Sequence, residues 1–303
     1  HKQDWFVRET YKPATDKDDM SFLSRNFEKH FNERPFLNHS CFLFLTKTTK
    51  ERMRMQSNFS SLCRGNIIPK EVNKDTSVKF LEAVGQFERI MNDSGFIRLT
   101  RISSDEITGT DTSAGLIEKY FALSLDDTTC LEDLELGADG LRVGSKHVCL
   151  HTLSDAEDLP GRIGTDMRYE KLSTDRSDCR LSFASPVGLL LSCDHIYNQY
   201  LFIEDSAENL RKFEKSARNM QSLSRYSRGN QINKEWIDQY LNEAHLFGLT
   251  SIRAHFNVLA WSDDVEELKH IRNDVGSQLA LMECKPRHNT VDAATLYWAG
   301  MPG

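Results

Sequence analysis

Cysteine and histidine stand two residues apart at three places in the chain, and side chains of these types could bind a metal or take part in catalysis. The pairs are His39–Cys41, Cys149–His151 and Cys193–His195. Residues two apart on a β-strand lie on the same face of the sheet, so two such pairs could together ligate a zinc ion. Structural zinc sites usually show closer cysteine spacings, however, and cysteine on a buried strand acts as a small hydrophobic residue. We therefore predict no metal site.

A hydrolase is the alternative interpretation of one of these pairs. Cys149 or Ser154 could act as the nucleophile, with His151 as its base and Asp155 as the carboxylate that orients the base. Catalytic partners normally meet through the fold rather than along the sequence, and the nucleophile-elbow pattern G-x-S-x-G does not occur. We predict no catalytic residues, and the hydrolase stays an alternative.

The sequence contains no glycine-rich phosphate loop. Neither G-x-x-x-x-G-K-[ST] nor a G-x-G-x-x-G that follows a strand occurs, although the backbone needs such glycines to approach a phosphate closely. The common nucleotide-binding folds are therefore excluded, and we predict no cofactor for these residues.

Five basic residues recur at helical spacing and form the candidate partner-binding site. They are Arg211, Lys215, Arg218, Arg225 and Arg228. A helix face of one charge sign can bind phosphates, an acidic partner or an anionic membrane surface. A solvated helix face is the commoner origin of such a run. A nucleic-acid-binding module is therefore a second alternative, and the formal charge of −7 argues against it.

A strand followed directly by a helix must position these basic residues. Tyr200–Ile203 is apolar and aromatic, as expected of a buried strand. Asp205 stands three residues before Glu208, which is the spacing of a capping box at a helix start. We expect the helix to continue to Arg228–Gly229, where glycine permits the left-handed turn after a helix.

The same junction recurs along the chain. Strands that lead into a capping-box spacing are predicted at Cys41–Leu45, Phe96–Ile102 and Ile252–Trp261. Apolar residues at three- and four-residue steps predict helices over 20–31, 78–91, 236–247 and 265–279, and a further helix after Thr48. Shorter apolar or alternating runs predict strands over 5–9, 131–136, 141–143, 148–153 and 296–298.

These elements predict an α+β fold with two related sheet-and-helix units and a β-rich middle segment. The first unit covers residues 1–125 and the second covers residues 196–303, each with helices packed on a mixed or antiparallel sheet. The middle segment, residues 126–195, includes a long surface connection over 155–178. A chain of 303 residues is long enough for about two domains.

The amino-acid composition indicates a globular protein and argues against a membrane-spanning one. A hydrophobic content of 39% and a charged content of 27% fit a globular protein, and no run approaches the roughly 18 apolar residues of a membrane span. Seven cysteines, an odd number without C-x-x-C, suit a reducing compartment. The chain starts at His1 and stops on turn residues, so we expect it to be an excised part of a longer protein.

Five segments of the chain closely resemble the TraG-type ATPases of conjugative transposons. This family forms hexamers and energises type IV secretion and conjugative DNA transfer. The segments are NERPFLNHSCFLFLTKTTKERMRMQSNFSSLCRG, STDRSDCRLSFASPVG, NLRKFEKSARNMQSLSRYSRGNQINKEW, LKHIRNDVGSQLAL and TLYWAGMPG. They are spread over essentially the whole chain.

The resemblance implies the N-terminal portion of such an ATPase, which ends shortly before the ATPase domain. The family's Walker A and Walker B residues match nothing in this sequence, so no catalytic residue is carried over, and ATP and Mg²⁺ are implied only for the parent chain. The implied role is docking onto other secretion subunits at the cytoplasmic face of the inner membrane. The resemblance further implies a hexamer of the full-length protein, peripheral membrane association through partners, and no direct contact with nucleic acid.

Overall fold

The described part of the chain has an α+β fold, which confirms the predicted fold class. The computed structural model describes residues 21–23, 26, 39–47, 74–126, 131–137, 140–161, 163, 167–170, 173–176, 178, 180–181 and 183–300. The predicted strand at 5–9, the helix after Thr48 and most of the helix at 20–31 lie outside these residues. The strands are β1 Leu134–Gly137, β2 Gly140–Val143, β3 Lys146–Leu153, β4 Met167–Arg168, β5 Arg180–Leu181, β6 His195–Ile203, β7 Ile252–Ser262 and β8 Arg287–Asn289.

Three of the described helices precede β1, and the other five lie between or after the later strands. They are α1 Lys74–Asp93, α2 Ser104–Thr108, α3 Leu116–Ala122, α4 Ser185–Leu190, α5 Ser206–Leu223, α6 Arg228–Phe247, α7 Val265–Leu281 and α8 Ala293–Ala299. The capping box predicted at Ser103 and Glu106 is confirmed, because each side chain accepts the backbone N–H of the other residue. Asp205 likewise accepts the Glu208 N–H at 2.9 Å and caps the start of α5.

Six of the described strands form one antiparallel sheet. Their order across the sheet is β1, β2, β3, β7, β6. Strand β8 pairs with the later residues of β3, on the same edge of β3 whose first residues pair with β2. This confirms the predicted hairpin strands and the strand at Ile252–Trp261, and it extends the predicted Tyr200–Ile203 back to His195. Because β3 pairs with β7, strands of the middle segment and of the last third share the sheet. The division into units at residues 125 and 195 stays a prediction.

Both faces of the sheet are covered by helices. Side chains alternate between the faces along β3 and β7, as the pleat requires. On the first face, Cys149 and Val258 pack with Val275 of α7. On the second face, Leu150 and Leu259 pack with Tyr297 of α8, together with residues from α3 and β2.

Two tyrosines fasten α3 to α8 on the second face. Tyr120 donates its hydroxyl to the Tyr297 carbonyl at 2.6 Å, and Tyr297 donates its hydroxyl to the Tyr120 carbonyl at 3.2 Å. Their rings stack with centroids 5.1 Å apart. The Tyr297 side chain is fully buried, so these hydrogen bonds satisfy a hydroxyl that would otherwise be costly to bury.

Adjacent strands β6 and β7 are joined by a helical hairpin, formed by α5 and α6, rather than by a short turn. The two strands pair from His195 opposite Ala260 to Ile203 opposite Ile252. The chain then leaves the sheet through α5 and returns through α6. Gly248 ends α6 with φ +66°, a conformation that glycine adopts without strain. We call α5 and α6 the helical hairpin.

The predicted helix end at Arg228–Gly229 is wrong. Helix α5 ends at Leu223, and Arg228 and Gly229 instead open α6. Ser227 explains the new start, because its hydroxyl accepts the Gly229 N–H at 3.2 Å and caps the helix.

Two predicted strands in the first third are also wrong. The Phe96–Ile102 segment folds back on α1, because the Asn92 side chain accepts the Leu99 N–H at 2.6 Å. Cys41–Leu45 pairs with no strand among the described residues, and its large apolar side chains are 42–56% exposed. Without a neighbouring strand to complete the ladder, apolar sequence alone does not produce a strand.

The predicted final strand Leu296–Trp298 is wrong as well, because these residues lie in α8. Asp292 stands just before the helix and accepts the Leu296 N–H through its backbone carbonyl at 3.0 Å. Burial of Tyr297 against α3 outweighs the preference of aromatic residues for strands.

Truncation of Leu150 to alanine should destabilise the protein strongly. The side chain is 1% exposed in the central strand β3, so we expect a loss of about 2–5 kcal/mol in the free energy of unfolding, measured by urea denaturation. The same change at Leu246, which is 74% exposed on α6, should cost less than about 0.5 kcal/mol. Equal effects at both positions would contradict the described core.

Candidate functional site

The helical hairpin carries the basic residues that the sequence singles out. Its two helices pack through small buried residues, Ala217 of α5 and Ala244 of α6, and through the Phe213 and Tyr240 rings, whose centroids are 4.9 Å apart. These contacts fix the outer faces of both helices relative to each other.

The structure divides the five basic residues among three elements. Arg211, Lys215 and Arg218 lie on α5 at steps of four and three residues, so they share one helix face. Arg225 lies in the turn between the helices, and Arg228 is the first residue of α6. All five are exposed. The predicted continuous stripe on one helix is therefore wrong, although three of its members do form a common basic face.

The basic face is opposite the face that packs on α6. Phe213 and Met220 lie beside residues of α6, and Ala217 is buried on the same face. The side chains of Arg211, Lys215 and Arg218 are turned roughly half a revolution away from that face, at about 100° per residue. Arg218 lies 4.0 Å from Glu214, an exposed pair of a kind that contributes little to stability. The basic face is thus available for a partner.

A second surface of the hairpin is apolar, and the sequence analysis missed it. Trp236 is 66% exposed and Phe247 is 69% exposed, although both belong to the apolar spacing that predicted this helix. A groove of about 310 Å³ lies beside Trp236, with Met220 and Ile237 among its lining residues. The helical period could have indicated this exposure, because Trp236 lies about 80° around the helix from the buried Ala244.

The Cys/His pairs are only partly brought together. Cys149 on β3 and His195 on β6 both pair with Ala260 of β7, so they lie in one row across the sheet. The His39 and His195 rings approach to 6.1 Å between centroids. Burial raises the pKa of the Cys149 thiol to about 12, which disfavours the thiolate that binds zinc. No group of three metal-binding side chains occurs among the described residues.

The residues of the alternative hydrolase have other partners in the structure. Asp155 pairs with Arg287 rather than with His151. The backbone N–H of Ser154 donates to Asp158 at 3.2 Å. His151 faces the ring of His288 on β8, with centroids 5.3 Å apart. The thiol of Cys149 is protonated at neutral pH, which makes it a poor nucleophile.

Asp158 anchors the turn after β3 to β8. Its buried carboxylate accepts the backbone N–H groups of Ser154 and Asp155 and two N–H groups of Arg287 at 3.1 and 3.0 Å. Burial alone would raise the pKa of this carboxyl, but the hydrogen bonds from Asp155, Arg287 and Ser154 outweigh it and hold the pKa below its usual value. The sequence analysis did not single out this residue.

Comparisons with known proteins add no family to this description. No protein-family model matches the chain, and no curated protein matches it in sequence. Among the described helices, none combines the length and apolar content that a bilayer crossing needs.

The Asp158 anchor should make stability depend on pH in the acid range. Because the folded state lowers the pKa of this carboxyl, its contribution is present above the usual aspartate value of about 4 and is lost as the pH falls through the folded pKa. Asp158→Asn should therefore lower stability at pH 7 and flatten the decline between neutral and acid pH, measured by urea denaturation. Asp155→Asn changes a more exposed partner of Arg287 and should have a smaller effect. An acid profile of Asp158→Asn identical to that of the unaltered protein would contradict this role.

Proposed function

We propose that the chain is a non-catalytic docking domain of a conjugation ATPase and that the helical hairpin is its docking element. The observation that carries the proposal is the exposed Trp236 beside an apolar groove, on an element that leaves the sheet. Monomeric surfaces rarely expose a large aromatic side chain next to an apolar groove unless something binds there.

The resemblance to TraG-type ATPases supports the same element. The segment from Asn209 to Trp236, which is one of the five resembling segments, covers most of α5, the turn and the start of α6. In this proposal, the partners are other subunits of the conjugation machinery at the cytoplasmic face of the inner membrane. ATP, Mg²⁺ and the hexamer belong to the parent chain.

The hairpin offers a partner two chemically different surfaces. The apolar groove can take up an aliphatic or aromatic side chain, and the basic face of Arg211, Lys215 and Arg218 can attract acidic groups. Apolar contacts in such an interface supply most of the affinity, whereas exposed charges mainly raise the rate and selectivity of association.

A binding measurement with single secretion subunits tests the apolar surface. Trp236→Ser should weaken binding of the cognate subunit at least about tenfold, because buried aromatic side chains dominate protein interfaces. The fold should be unchanged, since the side chain is already 66% exposed. The matched control is Phe96→Ser, an exposed aromatic residue outside the hairpin, which should bind normally. The proposal fails if none of the subunits binds the unaltered domain.

Charge reversal tests the basic residues separately. Arg218→Glu combined with Arg225→Glu should weaken subunit binding, and the effect should shrink as salt is added because exposed charges are screened. The control pair Arg98→Glu with Arg176→Glu changes net charge equally at exposed positions elsewhere. If both pairs weaken binding equally, the basic face has no specific role.

A DNA titration distinguishes docking from the nucleic-acid alternative. A nucleic-acid-binding module should bind DNA at low salt and lose affinity steeply as salt rises. The docking proposal expects no DNA binding by the unaltered domain even at low salt. Salt-dependent binding that Arg211→Glu abolishes would favour the alternative instead.

A further inference from the structure

A cleft between α7 and β8 lies apart from the helical hairpin. Its volume is about 550 Å³. His151 of β3 and His288 of β8 are part of one wall, and α7 provides the opposite wall. The α7 residues that line it include Arg272, Asn273, Gly276 and Ser277.

One histidine of this cleft is buried, and one nitrogen of its ring has no hydrogen-bond partner in the part of the chain that the structure describes. His151 is only 4% exposed, and its Nδ1 atom is buried without a partner among the described residues. A buried ring nitrogen in this state has lost its hydrogen bonds to water, so proteins seldom retain one without a reason. His151 also lines the cleft, so a ligand there would lie next to this imidazole.

The charged residues around the cleft favour a negatively charged ligand. Arg272 supplies a permanent positive charge, and of the described residues that line the cleft, none is Asp or Glu. The carboxylates of Asp155 and Asp158 are held by Arg287. A metal cation would meet Arg272 without a balancing carboxylate, whereas an anion would meet a guanidinium and two imidazoles.

We propose that this cleft binds a phosphate group, with Arg272 as the main charge partner and His151 and His288 as hydrogen-bond donors. Arginine matches phosphate oxygens with its planar fork of N–H donors, and imidazoles can add one donor each. Gly276 leaves open space on α7 at the centre of the wall, since a Cβ there would meet no atom within 4 Å. The cleft is larger than one phosphate ion, so an ester of phosphate also fits.

The histidines make phosphate binding sensitive to pH. The pKa of His151 is lowered to about 4, mainly by burial and further by the nearby His288 and Arg272. The pKa of His288 is also lowered, mainly by burial and further by Arg272. Both rings are therefore mainly neutral at pH 7 in the empty cleft. A bound dianion favours the protonated rings and raises their pKa values, so affinity should increase as the pH falls. Arg287, the other charged residue of β8, is already paired with Asp155 and Asp158.

Isothermal titration of the intact chain with inorganic phosphate tests the proposal. Arg272→Met keeps an unbranched side chain, removes its charge and its N–H donors, and should weaken phosphate binding at least about tenfold. The matched control is Arg98→Met, an exposed arginine outside both the cleft and the helical hairpin, which should change the affinity less than about twofold. His288→Asn should weaken binding and reduce its pH dependence, because it removes one of the two imidazoles that line the cleft.

A titration with sulfate shows whether the pH dependence comes from the protein or from the ligand. Phosphate itself takes up a proton between pH 8 and pH 6, whereas sulfate stays a dianion. Its affinity should rise between pH 8 and pH 6 in the unaltered protein and stay nearly flat in His288→Asn. Glycerol phosphate as a second ligand distinguishes an ester site, which binds both, from a site for free phosphate alone. The proposal is overturned if phosphate does not bind at millimolar concentration, or if Arg272→Met and Arg98→Met lower the affinity equally.

Discussion

Strand β7 is the element on which the rest of the structure depends, because it pairs along both edges and is covered on both faces. Five consecutive residues, Phe256–Ala260, are buried. A strand in this position needs apolar side chains at odd and even positions alike, and every backbone N–H and C=O within it must pair with a neighbour. Strands β3 and β6 supply those neighbours.

The single polar residue in that buried run shows how strict the constraint is. Asn257 is 2% exposed and would be costly without partners. Asn198 of β6 donates to its carbonyl oxygen at 2.9 Å, and His255 lies within 3.3 Å of its amide nitrogen. The pairing register that brings Asn198 opposite Asn257 is therefore also the one that satisfies the buried amide.

Sequence reasoning was successful where the local signal and the fold agree, and it failed where a distant neighbour decides. Ser103 and Asp205 cap helices through their own side chains, so their spacing was sufficient. The α8 helix contains strand-forming aromatic residues but is held by Tyr120, which is far away in sequence. The helical spacing of Arg211, Lys215 and Arg218 predicted their common face. The cleft could not be predicted, because β3, α7 and β8 meet only through the sheet.

The insertion of the helical hairpin between two neighbouring strands has a mechanical consequence. The ladder between β6 and β7 closes on the pair Ile203 and Ile252, immediately where the two helices leave the sheet. A force that separates the helices would act on this pair first, and the hydrogen bonds of the ladder would then break one pair after another toward His195 and Ala260. A force along the strands would instead load all the hydrogen bonds together. The β6–β7 ladder therefore resists a force along the strands better than a force that separates the two helices. The direction of the force decides whether movement of the hairpin disturbs the central sheet.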